Sequence, residues 1–290
     1  MNSSEYKKRQ LKYLTYLLRC KLYEVDNILK RIDRYYGSKE ELKKHKNGQP
    51  KTYKDGTLKK RLINPSYNRL KMLQSNIKSN VLNKAVFPEH IQGGAKSRSN
   101  ITNAKRHQGN KYVLTTDLQN FFPSITSKQV YSMFLRLGYS NYVSNYLTKL
   151  TTYNHRLPQG TPTSTHIANL VSLEMDEQLL KLCEQNNITY SRFVDDLTFS
   201  SPSDFGPCIQ RIIDIIALNN FNISWRKTEY QGNQTITGIK VFNNYIDAPD
   251  SVKEKVKEEA SYRDFLGPMH DYFKRIRQTN TNVKDSTHFL

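Results

Sequence analysis

The sequence predicts an α+β protein, and three observations carry that prediction. Apolar residues recur at helical spacing through the first part of the chain, and short β-prone runs alternate with helical stretches through the second. At 290 residues with 37% hydrophobic content, the chain can bury a core as one large domain or as two to three packed subdomains.

From residue 6 to residue 36, Leu11, Leu14, Leu17, Leu18, Leu22, Val25, Ile28, Leu29 and Ile32 mark one or two helices with basic outer faces. Asp55-Gly56 in KTYKDGTLKKRLI is a two-residue hairpin signal that pairs residues 51 to 54 with 57 to 63. The helical period resumes from 67 to 85 through Leu70, Leu73, Ile77 and Val81. A polar segment, QGGAKSRSNITNAKRHQGNK, leads into the first buried strand, YVLTTD, at 112 to 117. SRFVDDLTFS, residues 191 to 200, reads as two short strands with Asp195-Asp196 at their turn, and residues 251 to 277 read as two amphipathic helices.

Composition narrows the function classes. No apolar run approaches the roughly 18 residues that cross a bilayer, and MNSSEYKKRQLKY lacks a signal peptide's apolar stretch, so a cytoplasmic protein without membrane contact is expected. Cys20, Cys183 and Cys208 are far apart and form no CxxC pair, which indicates reduced core residues rather than disulfides or zinc. The first 116 residues hold 27 Lys and Arg against 8 Asp and Glu, while the remainder balances at 18 each, so the formal charge of +19 lies wholly in the first part. Such a segment is either a solvated basic face or an electrostatic footprint for a phosphate backbone.

Two aspartates in a turn are unexceptional, because aspartate favours turns on its own account. A third carboxylate changes the balance: Asp117 closes another apolar strand. Carboxylates that converge from adjacent strand ends repel unless cations are present, and Mg²⁺ bound through carboxylate oxygens and substrate phosphates is the obvious remedy.

Asp117-Leu-Gln-Asn-Phe-Phe122 resembles the first catalytic motif of the reverse transcriptases, and Phe193-Val-Asp-Asp196 resembles the second. Leu157-Pro-Gln-Gly-Thr-Pro-Thr-Ser164 is similar to their nucleotide-supporting loop, RLINP at 61 to 65 and LKMLQ at 70 to 74 to their fingers, and FNISWRKT at 221 to 228 to the motif after the double aspartate. The likeness covers about residues 55 to 245 with the motifs in order. Asn103-Ala-Lys-Arg-His107 matches the NAxxH element of bacterial retron enzymes and Ile236-Thr-Gly238 their VTG element; Phe193-Val194 replaces the commoner Tyr-Ala, and Thr165 a common proline.

The resemblance implies a right-hand polymerase with fingers at 1–116, a palm of antiparallel sheet and helices at 117–245, and a small helical thumb at 246–290. It implies RNA-directed DNA synthesis by two-metal nucleotidyl transfer, with Mn²⁺ as a substitute for the two Mg²⁺ ions. Asp117 and Asp195 would ligate both ions, Asp196 would be a weaker or indirect ligand, and the Leu118 carbonyl an extra one. Lys59, Lys60 and Arg61 would clamp the deoxynucleoside triphosphate, with the main contact left open among them. Phe122 would exclude the ribonucleotide 2′-hydroxyl, Gln159 and Gly160 would hold nucleotide and template, and Lys227 would protonate pyrophosphate. The RNA contacts expected are Asn103, His107, Lys253, Lys257, Arg263, Lys274, Arg275 and Arg277, with an architectural role as the other option for His107. The partners implied are a structured noncoding RNA that templates and primes from a 2′-hydroxyl, the RNA-linked DNA product, and an accessory effector protein in antiphage defence. Two other readings stand beside this one: a reverse transcriptase of an abortive-infection or other bacterial system, and a non-catalytic RNA-binding scaffold restraining a toxin.

Overall fold

Asn2 opens the first helix by accepting a hydrogen bond from the Ser4 amide, and Arg19 closes it in the left-handed region at φ 50°. The computed structural model describes residues 2–43, 49–52, 55–232, 235–262 and 267–280. Its helices are α1 (Ser3–Leu18), α2 (Leu22–Lys30), α3 (Asn68–Asn80), α4 (Asn100–Lys105), α5 (Phe121–Ser124), α6 (Ser127–Arg136), α7 (Asn141–Thr151), α8 (Ser164–Val171), α9 (Leu173–Gln185), α10 (Ile209–Leu218), α11 (Asp250–Tyr262) and α12 (Pro268–Gln278). Its strands are β1 (Lys39–Leu42), β2 (Lys60–Ile63), β3 (Tyr112–Asp117), β4 (Thr189–Phe193), β5 (Asp196–Ser201), β6 (Glu229–Gln231), β7 (Thr235–Ile236), β8 (Ile239–Val241) and β9 (Ile246–Asp247). The expected one or two N-terminal helices are two, and no helix among the described residues is long and apolar enough to cross a membrane.

The chain folds as two compact units, Met1–Val86 with Asn120–Leu173, and Phe87–Gln119 with Glu174–Leu290. In the first unit α1, α3 and α7 pack together and bury Leu14, Leu17, Leu18, Leu70, Leu73, Ile77, Val143, Leu147 and Leu150. Gln74 is buried among them, and its amide donates to the Leu150 carbonyl at 2.9 Å and to the Tyr36 hydroxyl at 3.0 Å.

The hairpin expected around Asp55-Gly56 is seen in the described residues that flank its turn: Thr52 bridges Leu58, and the Lys59 amide donates to the Lys51 carbonyl at 2.7 Å. Beyond it, β2 pairs along its length with β1, Lys39 opposite Ile63 through Leu42 opposite Lys60. Residues 53 and 54 lie outside the described residues. Charge suits this second pairing: β1 sets Glu40 against Lys60 at 2.7 Å and Glu41 against Arg61 at 2.8 Å.

The second unit is built on a four-stranded antiparallel sheet of order β4-β5-β3-β6 and a smaller one of order β7-β8-β9. A core of Ile101 and Ala104 from α4, Val113 from β3, Ile236, Ile239, Val241 and Ile246 from the small sheet, Ala248, and Ile276 from α12 joins its parts. The expected boundary after residue 116 falls within β3, and the one after residue 245 falls within the second unit. β3 is central in the sheet and cannot part from β5 and β6, and α12 shares a core with α4, so the NAxxH segment and the C-terminal helices belong to the same unit as the double aspartate.

Candidate active site

β3 and β5 run antiparallel from Tyr112 opposite Ser201 to Asp117 opposite Asp196, so each strand ends in a carboxylate at the same edge of the sheet. Directly opposed residues on antiparallel strands share a face, so these two carboxyls stand side by side. The hairpin turn itself is Val194-Asp195, because Phe193 already pairs with Asp196. Asp196, expected in the turn beside Asp195, is the first residue of β5. Val194 sits at φ 61°, the conformation that the first central position of a II′ turn requires and a β-branched side chain resists.

Backbone bonds fix these groups. The Leu118 amide donates to the Asp195 carbonyl at 2.8 Å, and since the N–H and C=O of an extended residue leave on one side, the Leu118 carbonyl faces that side as well. The Ser224 amide donates to the Asp117 carbonyl at 2.8 Å, and the Thr116 and Thr228 hydroxyls meet at 2.7 Å. This anchors the short turn of residues 225 to 227, from which the Lys227 Nζ reaches Asp117 Oδ1 at 2.6 Å.

Burial, then the hydrogen bond and charge of Asp117 and the charge of Asp195, push the Asp196 carboxyl up to about 8 against the opposing pull of Lys227. Asp196 thus keeps its proton at neutral pH, and Lys227 serves as the counter-ion of Asp117. Among the described residues no three His, Cys, Asp or Glu side chains already converge as a closed metal cage. The donor chemistry nevertheless fits hard divalent cations: oxygen ligands, excess negative charge, and a carboxyl protonated for want of positive charge.

The nucleotide-binding residues expected from sequence lie in the first unit. The Asn64 amide donates to the Gln159 carbonyl at 2.9 Å, which ties the LPQG loop to the RLINP segment. Gly160 has φ +100°, and a Cβ there would stand 2.5 Å from Ile63 Cγ2. Gly160→Ala is expected to lower stability by at least about 1 kcal/mol, read as a lower Tm in thermal unfolding. Phe122 is half-buried with its ring 5.5 Å from that of Phe121. Lys60 and Arg61 hold Glu40 and Glu41, and Lys59 is half-buried. Exposed pairs of this kind contribute no more than about 1 kcal/mol each, so a triphosphate can displace them.

Residues 43–267 match the family model of the reverse transcriptase (RNA-dependent DNA polymerase). Retron Ec73 reverse transcriptase of Escherichia coli is 30% identical over 220 residues, 68% of this chain and 69% of that protein. The chain belongs to the retron-type reverse transcriptases. Retron Ec86 reverse transcriptase of Escherichia coli is 32% identical over 194 residues, covering 65% of this chain and 60% of that protein. Retron Se72 reverse transcriptase of Salmonella heidelberg is 36% identical over 147 residues, covering 50% and 39%. The chain thus spans less than two thirds of the length of these last two relatives. Among solved structures, telomerase from Candida albicans in complex with a TWJ fragment of telomeric RNA shares the fold, with a TM-score of 0.50, 9% identity, and coverage of 76% of this chain and 48% of that one. The α+β right-hand polymerase fold expected from sequence is the fold of this reverse transcriptase.

The retron-like elements have a structural explanation. His107 is fully buried, with Nδ1 2.7 Å from Ser200 Oγ and Nε2 2.7 Å from Ser191 Oγ. Ser191 donates to Asn103 Oδ1 at 2.6 Å, and Asn103 Nδ2 donates to Thr237 Oγ1 at 3.3 Å. NAxxH therefore bolts α4 across both strands of the aspartate hairpin and onto the Ile236-Thr-Gly238 element. Neither Asn103 nor His107 reaches solvent, which corrects the expectation that they touch RNA: their polar atoms are consumed inside the fold.

Lys257, Lys274, Arg275 and Arg277 are exposed on α11 and α12, while Lys253 is held by Asp247 at 2.6 Å. Arg275 lies over the Tyr272 ring and Arg277 over the Phe273 ring. Arg263 falls outside the described residues. Sequence reasoning passed over Arg192 and Asp176, both fully buried and paired at 2.7 Å. The available signal was an arginine inside the apolar strand of SRFVDD, a residue type almost never buried without a partner.

Proposed function

We propose that the chain is an RNA-directed DNA polymerase that copies a structured noncoding RNA into a short DNA joined to that RNA, primed from an RNA 2′-hydroxyl. The observation that carries this is the facing of Asp117 and Asp196 at one sheet edge, with Asp195 on the adjoining turn and Lys227 on Asp117. Its family membership supplies the template class, and its basic first 116 residues suit a phosphate backbone.

Asp117, Asp195 and Asp196, with the Leu118 carbonyl, would hold two divalent cations, Mg²⁺ with Mn²⁺ as a substitute. Such cations activate the primer hydroxyl and offset charge on the leaving phosphate. Lys227, once off Asp117, carries the proton that the departing pyrophosphate takes up. Lys59, Lys60 and Arg61 exchange their protein partners for the triphosphate, and Gln159 and Gly160 support nucleotide and template. Exposed Lys257, Lys274, Arg275 and Arg277, together with Lys253, contact RNA phosphates, the protein works in the cytoplasm, and an effector protein uses the hybrid against phage.

Phe122 discriminates at the sugar. Phe122→Ala is expected to raise ribonucleotide incorporation relative to deoxynucleotide by roughly ten- to a hundredfold, measured as the ratio of kcat/KM values. The function is tested by purifying the protein from cells that carry its native locus and treating the bound nucleic acid separately with RNase and DNase. An RNA-linked DNA is the expected finding; bound RNA with no DNA, from a protein that extends no primer, favours the scaffold reading.

A further inference from the structure

We infer that Arg192 is a positioning residue for the aspartate turn: held by Asp176, its guanidinium grips the Val194 carbonyl and thereby fixes where Asp195 stands. The inference rests on the polymerase reading, since it assigns Arg192 a part in placing a carboxylate proposed to be catalytic.

Arg192 lies on β4, two residues before the turn's first central residue, and is fully buried. Its Nε donates to Asp176 Oδ1 at 2.9 Å and its Nη2 to Asp176 Oδ2 at 2.7 Å, a two-point grip that orients the guanidinium plane. Asp176 is itself fully buried on α9 and accepts a third bond from the Tyr190 hydroxyl at 2.7 Å. With two edges so engaged, Nη1 donates to the Val194 carbonyl at 3.0 Å.

The segment before α4 closes on the same residues from another direction. The Arg192 amide donates to the His90 carbonyl at 2.8 Å, and the Gln92 amide to the Arg192 carbonyl at 2.8 Å. A Cβ at Gly93 would stand 2.4 Å from the Val194 nitrogen, so this backbone passes the turn at a distance that glycine alone allows. The turn is thus held at the Val194 carbonyl by Arg192 and at the Asp195 carbonyl by Leu118.

Two physical arguments make this more than core packing. Val194 at φ 61° is a conformation that persists only where its surroundings over-determine it, and the Arg192 bond is one of those determinants. A buried ion pair is also a poor source of stability, because apolar residues of similar volume often serve as well or better, while a fixed geometry is something apolar residues cannot supply.

The test replaces the pair and the Tyr190 hydroxyl together, Arg192→Met with Asp176→Leu and Tyr190→Phe, so that neither a buried charge nor a hydroxyl is left unpaired; His90, whose Nε2 stands 3.8 Å from Asp176 Oδ2, is kept as it is. Tyr190→Phe alone is the control. The triple variant is expected to unfold at a Tm close to wild type and to keep its KM for deoxynucleotide. Its kcat on a primed RNA template falls by about ten- to a hundredfold, as for a reacting group misplaced by an ångström or less. Backbone amides of residues 193 to 196 exchange hydrogen faster, read by mass spectrometry without nucleotide or metal. Unchanged kcat and unchanged exchange in the folded triple variant would overturn the inference.

Should the triple variant fail to fold, Arg192→Lys decides. An ammonium neutralises Asp176 as a point charge but lacks the fork that spans Asp176 and Val194, so the same fall in kcat is expected, and wild-type kcat overturns the inference. A wild-type protein that adds no deoxynucleotide would overturn the polymerase reading and this inference with it; an active wild type beside fully active Arg192 variants overturns the inference alone.

Discussion

Asp195→Asn is expected to slow deoxynucleotide addition on an RNA template by at least about a thousandfold while leaving Tm unchanged or slightly raised. Asp195 contributes its backbone carbonyl to the fold through Leu118 and stands in the turn rather than in the ladder. Its carboxylate adds repulsion to a site where burial and Asp117 already push the Asp196 carboxyl up. Removing that charge at constant shape relieves Asp196, while the proposed cation site loses a ligand. Single-turnover incorporation beside a thermal unfolding curve checks both halves. A parallel fall in rate and Tm would mean that Asp195 is structural.

The second large effect is on stability. Burial, with a smaller contribution from the Arg106 charge, lowers the His107 imidazole to about 3, whereas an unfolded histidine titrates near its ordinary 6.5. The unfolded chain binds this proton first, so the contribution of His107 is fully present above pH 6.5 and is lost progressively as pH falls toward 3. At about 1.4 kcal/mol for each pH unit between the two values, the full loss is on the order of 4 to 5 kcal/mol. Carboxylates also titrate near the bottom of that window, so the informative comparison is His107→Gln against wild type between pH 6.5 and 4.5. The variant is expected to be less stable at pH 7, because Ser191 and Ser200 lose a well-placed partner, and to show a shallower decline with acid. Equal slopes would place the histidine in contact with water.

The sequence made the chemistry legible and the scaffolding less so. Asp117 at the end of an apolar strand and Asp195-Asp196 between two β-prone runs were readable because strand alternation and turn preference are local signals. That Asp196 belongs to the strand and Val194 to the turn was not, since a shift of one residue depends on the register with β3. The turn at Asp55-Gly56 was readable as a local signal, whereas the pairing of β2 with β1 was not, because the glutamates that match the lysine and arginine charges of β2 lie well upstream. His107 was visible as a motif residue, but its partners Ser191 and Ser200 lie 84 and 93 positions away. Arg192 and Asp176 form the same kind of long-range pair, and no spacing rule connects them. The domain boundary after residue 116 followed the charge distribution, which describes surface, whereas the units follow the core that joins α4 to α12.

Single-nucleotide addition to a primer annealed on RNA, with Mg²⁺ titrated from zero, tests the joint assignment of Asp117, Asp195 and Asp196 most directly when wild type is run beside Asp117→Asn. Wild type is expected to extend the primer only with the divalent cation, and Asp117→Asn to fold with an unchanged Tm yet extend it at least about a thousandfold more slowly. Extension by Asp117→Asn at the wild-type rate, or wild-type extension indifferent to Mg²⁺, would contradict the assignment.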